Sequence, residues 1–317
     1  MLFRSRPDDL AAIAIQAAVL RAAPLGADEV DDVILGCAMP EAEQGMNVAR
    51  IASLRAGLPV TASAMTVNRF CASGLEAIAT AAERVHCRAA NVVVAGGVES
   101  MTYVPMAGHH YLPNPLLMAH YPDVYLRTGL VAENHARESG ISREEQDRYA
   151  LRSHQRATHA LRSEYFRTEI VPVPLPAGTT GDHSLPDLAK RAPSSPHEPR
   201  VAFAVDEGPR ADTSLHVLSK LAPVFHVSGS VTAGNSSQTS DGAAAAVVTV
   251  ARTRVGFTAS PPLARRAAKV QSWIGVTATC PWPMPTFSVS PCIQGSPRAA
   301  FFQASVGIRP FCSFGTP

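Results

Sequence analysis

The chain has 317 residues, of which 46% are hydrophobic, and a formal net charge of +2 at neutral pH. This length allows about two domains with a sizeable core, and the sequence shows no basic stripe with aromatic residues that would indicate a nucleic-acid partner. No signal peptide is evident, and the longest strongly apolar run, 243–251, is far shorter than the roughly 20 residues of a membrane helix. We therefore expect a cytoplasmic protein that acts on small molecules and has no membrane partner.

Strands and helices are predicted to alternate along the first hundred residues. Asp8 can cap a helix whose apolar positions are Leu10, Ile13, Ala17 and Leu20, and Pro24 with Gly26 ends it. The following predictions are, in chain order, a strand over 30–35, a helix over 48–56, a strand over 64–67, a helix over 72–86 and a strand over 91–97. This alternation indicates βαβ units and a sheet covered on both faces.

The middle of the chain has a different composition. The sequence loses its periodicity from about residue 113, except that 140–166 predicts a charged amphipathic helix. Residues 172–210 are rich in Pro, Ser, Gly and Asp, which predicts surface loops. We interpret 1–112 and 231–252 as parts of one sheet domain, with 113–230 as an inserted, partly helical subdomain. Residues 231–251 are expected to return through loop, helix and strand.

Residues 253–317 differ from everything before them. No Asp or Glu occurs in the 76 residues after Asp241, where the average composition would give about six. Nine prolines occur from Pro261 onward, and proline at this density cannot build central strands or long helices. We expect an atypical, poorly ordered tail. Its composition leads to the hypothesis that a frameshift near codons 252–270 replaced the sequence that would otherwise follow.

The cysteines and histidines do not form a metal-ligand pattern. The six cysteines are Cys37, Cys71, Cys87, Cys280, Cys292 and Cys312. They are widely separated, without a CxxC pair, so each is expected to be a free thiol. His109, His110 and His120 lack a carboxylate or cysteine at regular spacing and are interpreted as loop histidines. No metal site is predicted, and no GxGxxG motif indicates a dinucleotide cofactor.

Cys71 stands between a predicted strand and a predicted helix, in the stretch VNRFCASGLEAI at 67–78. A thiol attacks as thiolate, and an ordinary cysteine with a pKa of about 8.5 is mostly protonated at neutral pH. Because unpaired N–H groups and the dipole at a helix start favour negative charge by about 0.3–1 kcal/mol, Cys71 is a candidate nucleophile for acyl transfer. Gly74 would let a ligand or chain segment approach. A small buried cysteine is the alternative, and Cys37 and Cys87 fit it better.

Five stretches occur in the order and form of one known family. They are VNRFCASGLEAI (67–78), VAGGVESMTYVPM (94–106), GISREEQDRYALRSHQRA (140–157), DEGPRADTSLHVLSKLAPVF (206–225) and VTAGNSSQTSDGAAA (231–245). Together, over about residues 6–251, they resemble the thiolase family, and most of all its degradative 3-ketoacyl-CoA thiolases, or acetyl-CoA C-acyltransferases. A ketoacyl synthase of the same superfamily fits the last stretch and GISREEQD less well.

The resemblance implies an α/β layered fold of two similar halves, with a loop subdomain inserted in the first half. It implies transfer of an acyl group from a 3-ketoacyl-CoA to Cys71 and then to CoA, in fatty-acid β-oxidation. CoA would be a co-substrate, with no other cofactor, and a homodimer is the default assembly. Ser237 matches the loop serine that contacts the pantetheine arm of CoA. A helix cap before the apolar run 243–250 stays open as its alternative role.

The chain departs from the family pattern at both ends. The family's Asn-Glu-Ala-Phe, Gly-His-Pro and Cys-x-Gly motifs are absent, and no histidine follows His226. We therefore expect the C-terminal half to be missing or replaced. The family also has a strand ahead of its first helix, and loss of that strand would leave an exposed sheet edge or a gap in the sheet. The alternative function is a catalytically inactive fragment that binds at most CoA or a partner subunit.

Overall fold

The computed structural model describes residues 5–175 and 201–249. Its α-helices in these residues are α1 (Pro7–Arg21), α2 (Val48–Arg55), α3 (Ser73–His86), α4 (Pro115–His120), α5 (Thr128–Glu138), α6 (Arg143–Arg162) and α7 (Leu215–Ser219). Its strands are β1 (Asp32–Gly36), β2 (Ser63–Val67), β3 (Val92–Ser100), β4 (Val173–Leu175), β5 (Val201–Phe203) and β6 (Asp241–Thr249). None of the described helices is both long and apolar enough to cross a bilayer.

The main sheet of the described residues has the strand order β2-β1-β3-β6. β1 is parallel to both neighbours, with Gly36 opposite Val67 on β2 and Gly97 on β3. β6 is antiparallel to β3, and its first residue, Asp241, lies opposite Ser100. The carboxyl ends of the three parallel strands and the start of β6 therefore share one end of the sheet. These four strands are contiguous, so the described sheet has edges at β2 and β6 and no gap in its middle.

Successive residues of the central strands face two different apolar layers. Val33 and Leu35 of β1 pack in a cluster with α1 and α2, whereas Ile34 between them packs in a second cluster with α3. In α3, the small residues Ala77 and Ala81 recur at helical spacing and are fully buried against the sheet. Each buried Val, Leu or Ile stabilises such a layer by about 1.5–3 kcal/mol. The alternation confirms the layered α/β fold that the sequence predicts.

The predicted start of α1 is wrong in detail. The helix begins at Pro7, whose fixed φ suits a first helical position, and Arg6 precedes it without a side-chain cap. Asp8 lies in the first turn, where its carboxylate accepts a hydrogen bond from Arg6 Nε at 3.0 Å. Leu20, predicted to face the core, is 77% exposed, whereas Ile15 is fully buried. The helix is apolar almost all round, so periodicity does not identify its buried face.

The helix predicted within 231–251 is absent from the described residues, because 241–249 form β6. The run Ala243–Ala246 has high helix propensity, but β6 pairs with β3 at every position from Asp241 to Thr249. A Cβ on Gly96 of β3 would overlap the backbone of Ala244, so glycine on one strand permits close approach of the other. Tertiary pairing therefore overrides the local preference.

The middle segment contains more helix than the sequence predicts. α6 is confirmed, and Ser142 and Glu145 form a capping box at its start. α5 was not predicted, since it buries only Gly129 and Ala136 and shows no apolar stripe. β4 and β5 pair antiparallel where only loops were predicted. The tail predicted over 253–317, with Cys280, Cys292 and Cys312, lies outside the described residues, and the subdomain boundaries stay predictions.

Candidate active site

A short turn connects β2 to α3 and carries Cys71. Phe70 has φ 47°, a left-handed conformation that costs a non-glycine residue about 1–2 kcal/mol. Its two peptide groups are both held by side chains. The Phe70 N–H donates to Asn68 Oδ1 at 2.9 Å, and the Phe70 carbonyl accepts from Ser73 Oγ at 2.6 Å. Ser73 Oγ also accepts from the N–H of Arg69 at 2.8 Å. The sequence did not predict this turn.

Glycines on the neighbouring strands allow the first turn of α3 to lie directly on the sheet. A Cβ on Gly36 would stand 2.6 Å from the Ser73 carbonyl oxygen and 2.7 Å from Gly74 N, which is too close for any side chain. A Cβ on Gly97 would lie 3.8 Å from Gly74 Cα. Gly74 was expected to let a chain segment or a ligand approach. No described chain segment does so, since nothing lies within 4 Å of the position of its missing side chain, and the approach of a ligand stays a prediction. The close approach therefore depends on Gly36.

Cys71 is exposed and free. It comes two residues before Ser73, the first residue of α3, so the predicted position at a helix start is confirmed. Within the described residues, the N–H groups of Gly74 and Leu75 in that first turn donate to no protein acceptor. Unpaired donors at a helix start favour a nearby negative charge. The alternative of a cysteine buried in apolar surroundings does not hold for Cys71.

Cys37 and Cys87 occupy different environments from Cys71. Cys37 is buried at the end of β1, and its burial, together with the negative charge of Glu99, raises the pKa of its thiol to about 12. Cys87 is exposed and is the C-cap residue of α3, where the helix dipole disfavours a thiolate. Cys37 therefore fits the prediction of a small buried residue, whereas Cys87 does not.

Glu99 connects the ends of β1 and β3, a role that sequence reasoning missed. Its carboxylate accepts from the N–H groups of Ala38 and Met39, at 2.6 and 3.3 Å, and from Gln44 Nε2 at 2.7 Å. Gln44 is completely buried. Asn68, at the start of the Cys71 turn, donates from Nδ2 to the carbonyl of Ala38 at 3.0 Å. The turn is therefore tied to the centre of the sheet. The available signal was a carboxylate at the end of an otherwise apolar strand, β3.

Ser237 lies on an exposed loop before β6, and its hydroxyl donates to the carbonyl of Gln238 at 3.1 Å. The loop is held by partly buried polar contacts upstream. Glu133 accepts from the N–H groups of Ser230 and Val231, each at 2.9 Å. Burial raises the pKa of Glu133, but the hydrogen bonds together outweigh burial, so the pKa lies below its usual value. The alternative role of Ser237 as a helix cap is wrong, because β6 follows the loop.

The structure brings Cys71 and Ser237 to the same end of the sheet without direct contact between them. Cys71 comes four residues after β2 ends, and Ser237 comes four residues before β6 begins. Within residues 5–175 and 201–249, the Cys71 thiol makes no hydrogen bond or ion pair, so no described histidine or carboxylate contacts it as a base. Catalysis would need a proton acceptor from elsewhere.

The histidines considered for a metal site have other contacts. The backbone N–H groups of His109 and His110 both donate to the carboxylate of Glu41, at 2.7 and 3.2 Å. His109 Nε2 lies 3.0 Å from the carbonyl oxygen of Tyr103. No three His, Cys, Asp or Glu side chains of the described ranges converge as metal ligands.

A mainly apolar groove of about 120 Å³ lies on the α1 face of the sheet, which is opposite to α3. It is bounded by α1, β6 and two segments that include Val173 of β4 and Phe203 of β5. Its lining includes Leu10, Ile13 and Ala17 of α1 and 242–245 of β6. Neither Cys71 nor Ser237 lines it, and its lining contains no Cys, Ser, Thr or His. The chemistry therefore points to the Cys71 turn rather than to the groove.

The chain is similar to known proteins over most of its length. Residues 2–252 match the family model described as "Thiolase, N-terminal domain". The 3-ketoacyl-CoA thiolase of Bacillus subtilis (strain 168) is 48% identical over 244 residues, which are 77% of this chain and 59% of that relative. The beta-ketoadipyl-CoA thiolase of Acinetobacter baylyi is 41% identical over 263 residues, covering 77% and 60% of the two chains.

A solved structure agrees with these sequence relatives. The crystal structure of the Bacillus anthracis acetyl-CoA acetyltransferase matches with a TM-score of 0.59 and 34% sequence identity. The match covers 78% of this chain and 59% of that one. The chain therefore spans about three fifths of the length of the relatives that it matches.

Proposed function

The chain belongs to the thiolase family, and on that premise we propose that it acts as an acyltransferase that cleaves 3-ketoacyl-CoA with free CoA, using Cys71 as the nucleophile. The observation that carries the proposal is the exposed Cys71 thiol on a fixed turn, two residues before a helix start with unpaired N–H donors. Such donors stabilise a thiolate and a developing oxyanion.

The proposed reaction has two steps. In the first, the Cys71 thiolate attacks the 3-keto carbon, and the bond between C2 and C3 of the substrate breaks. Its electron pair stays on C2, which takes a proton and leaves as acetyl-CoA, while Cys71 holds the shortened acyl group as a thioester. In the second step, the thiolate of free CoA attacks that thioester and releases the Cys71 thiolate and a shortened acyl-CoA. Covalent catalysis of this kind divides one difficult step into two easier ones.

The substrate class follows from what the relatives' names share. A 3-ketoacyl-CoA and beta-ketoadipyl-CoA both carry a keto group at the third carbon of a CoA thioester. We extend this class to the present chain, with fatty-acid β-oxidation as the pathway, the cytoplasm as the location and CoA as co-substrate without another cofactor. Ser237, exposed at the same end of the sheet as Cys71, would contact the pantetheine arm of CoA. A homodimer is proposed as the assembly.

A second candidate is a catalytically inactive protein that binds at most CoA or a partner subunit. It is favoured by the absence of a described base at Cys71 and by the absence of the Gly-His-Pro motif from the sequence. General acid and base catalysis contributes about 10²- to 10⁴-fold. A chain without its proton-transfer groups would therefore still acylate Cys71 slowly, but its steady-state rate of acetyl-CoA formation would fall by most of this factor.

One assay separates the two candidates. The purified protein is mixed with acetoacetyl-CoA and free CoA, acetyl-CoA formation is followed, and Cys71 is examined by mass spectrometry for a bound acetyl group. We expect acetyl-CoA and an adduct on Cys71 that free CoA removes. An adduct without acetyl-CoA turnover would support the inactive candidate with a competent nucleophile. The absence of both product and adduct would refute the proposed acyltransferase.

A further inference from the structure

We propose that Asn68 and Ser73 are positioning residues that hold Phe70 in its left-handed conformation and so fix the place of Cys71, two residues before the start of α3. The inference rests on the proposed function of Cys71 as nucleophile. Neither side chain touches the reacting sulfur in the structure. Each acts on the backbone of Phe70, the residue directly before Cys71.

Ser73 fixes the carbonyl side of the turn. Its hydroxyl donates to the Phe70 carbonyl at 2.6 Å and accepts from the Arg69 N–H at 2.8 Å. The Ser73 N–H donates to the same Phe70 carbonyl at 3.0 Å. Ser73 is only 4% exposed, so water does not compete freely for these bonds. Ser73, the first residue of α3, thereby binds both the N–H of Arg69 and the carbonyl of Phe70.

Asn68 fixes the amide side of the turn and ties it to the sheet. Its Oδ1 accepts from the Phe70 N–H at 2.9 Å, while its Nδ2 donates to the Ala38 carbonyl at 3.0 Å. Ala38 is itself held by Glu99 of β3 through its N–H. Both hydrogen-bonding groups of the Phe70 backbone are therefore used, and both bonds oppose relaxation of φ toward negative values.

The conformation of Phe70 controls where Cys71 lies. A φ of 47° suits glycine or asparagine, whereas phenylalanine prefers negative φ. If the two bonds were lost, Phe70 would relax while β2 and α3 stayed packed, so the displacement would fall on Cys71 and Ala72 between them. Cys71 would then lose its fixed place two residues before α3, whose unpaired first-turn N–H groups favour a thiolate. Reaction geometry is sensitive to such shifts, with about 10²-fold lost for a displacement of about 1 Å.

The first test measures the reactivity of the Cys71 thiol without any acyl substrate. Carbamidomethylation of Cys71 by iodoacetamide is timed by mass spectrometry and divided by the rate at Cys87, which is exposed at the other end of α3. We expect Ser73→Ala and Asn68→Ala each to lower this ratio by about two- to fivefold, the loss that corresponds to the helix-start effect. Acylation of Cys71 by acetoacetyl-CoA should fall further, by about 10- to 100-fold.

Ser53→Ala is the matched control. Ser53 is 1% exposed, and its hydroxyl donates to the carbonyl three residues earlier, Arg50, at 2.9 Å. Ser73 makes the same type of bond to Phe70. Both alanine variants therefore lose a buried serine hydroxyl from a helix, but only Ser73 lies at the turn that carries Cys71. We expect Ser53→Ala to change the melting temperature without changing the ratio of Cys71 to Cys87 alkylation.

Phe70→Gly provides the rescue. Glycine adopts positive φ at no steric cost, so in the Ser73→Ala background it should return the alkylation ratio to within about twofold of the wild-type value. If Ser73→Ala does not fold, Asn68→Ala, at an exposed position, carries the same test. An unchanged ratio in a folded Asn68→Ala or Ser73→Ala variant would overturn the proposal. A lowered ratio in a protein that never forms the acyl adduct would support positioning and refute the proposed acyltransferase.

Discussion

The two ends of α3 each carry an exposed cysteine beside a left-handed residue, yet the two turns are built differently. At the carboxyl end, Cys87 is followed by Arg88 with φ 59°. The N–H groups of Arg88 and Ala89 donate to the carbonyls of Val85 and Arg84. This is the Schellman motif, which commonly closes a helix. The left-handed residue there satisfies the helix's own carbonyls.

At the amino end, the left-handed residue satisfies no helix carbonyl, and its own carbonyl accepts from the N–H and the hydroxyl of Ser73. Phe70 lies before the helix, and two side chains, Asn68 and Ser73, hold it in place. Strained backbone that its surroundings hold in place is concentrated at functional sites. Exposure and a neighbouring helix end therefore do not distinguish the proposed nucleophile, Cys71, from Cys87. The sign of the helix dipole and the construction of the turn do.

Removal of each thiol in turn is the strongest test of this comparison. Cys71→Ser should lower acetyl-CoA formation by at least about 10³-fold, because a serine hydroxyl without an adjacent base is a poor nucleophile. Cys87→Ser should leave the rate within about twofold, since that sulfur lies where the dipole disfavours a thiolate. The measurement is acetyl-CoA production from acetoacetyl-CoA and CoA. Equal losses in the two variants would remove the distinction between the two ends.

The packing of the first turn of α3 on β1 depends on a single glycine, Gly36. Gly36→Ala places a Cβ against the backbone of Ser73 and Gly74, which should lower the free energy of unfolding by about 1–3 kcal/mol and reduce acylation of Cys71. Gly74→Ala meets open space and should stabilise the helix by up to about 1 kcal/mol. Denaturant unfolding measures both. A stabilised Gly36→Ala variant would contradict the observed packing.

Cys37 is a buried thiol at the same end of the sheet as the exposed Cys71, so the two differ in their access to solvent. Burial, and next the charge of Glu99, raise the pKa of Cys37 to about 12, whereas an unfolded cysteine titrates near about 8.5. A raised folded-state pKa means that the unfolded state loses its proton first. The free energy of unfolding should therefore fall as the pH rises from about 8.5 toward 12.

The Cys37 prediction is measured by denaturant unfolding across that alkaline interval. Cys37→Ala should show a shallower fall than the wild type, because the titrating thiol is gone. Iodoacetamide should modify Cys37 only after denaturant is added, while Cys71 reacts in the native protein. Rapid native-state modification of Cys37 would show that its burial is not maintained in solution.

The layered fold could be predicted because its signals are local. α2 and α3 have helical spacing of their apolar residues, and β1 to β3 are short apolar runs, so their existence follows from periodicity. β6 could not be assigned, because Ala243–Ala246 favours helix and only the pairing with β3, more than 140 residues away at Ser100 and Asp241, decides its structure. Long-range contacts of this kind leave no local pattern.

The position of the proposed nucleophile could be predicted from the sequence, whereas the residues that hold its turn could not. Cys71 was identified by its place between a strand and a helix. Phe70 has neither the flexibility of glycine nor the local hydrogen bonding of asparagine, so nothing in its identity predicts a left-handed turn. Gly36 lies far from Cys71 in sequence, and its role follows only from the packing of α3 on β1. The residues that hold the turn therefore required the structure.

The smallest expected effects come from the carboxylates of α3 itself. Glu76, in the first turn, pairs with Arg69 at 3.1 Å on the surface. Glu76→Gln removes a negative charge from the first turn of α3, which Cys71 precedes, and frees the guanidinium of Arg69. It should therefore raise the alkylation ratio of Cys71 to Cys87 by about 1.5- to 3-fold. Glu83→Gln, one turn before Cys87, should lower the same ratio, because it relieves repulsion at the other thiol.

Both effects should vanish at about 0.5 M salt, where the screening length is about 4 Å. A shift of the ratio in the same direction by both variants would show that local charge does not govern the two thiols, and the difference between the ends of α3 would then rest on the Phe70 turn alone.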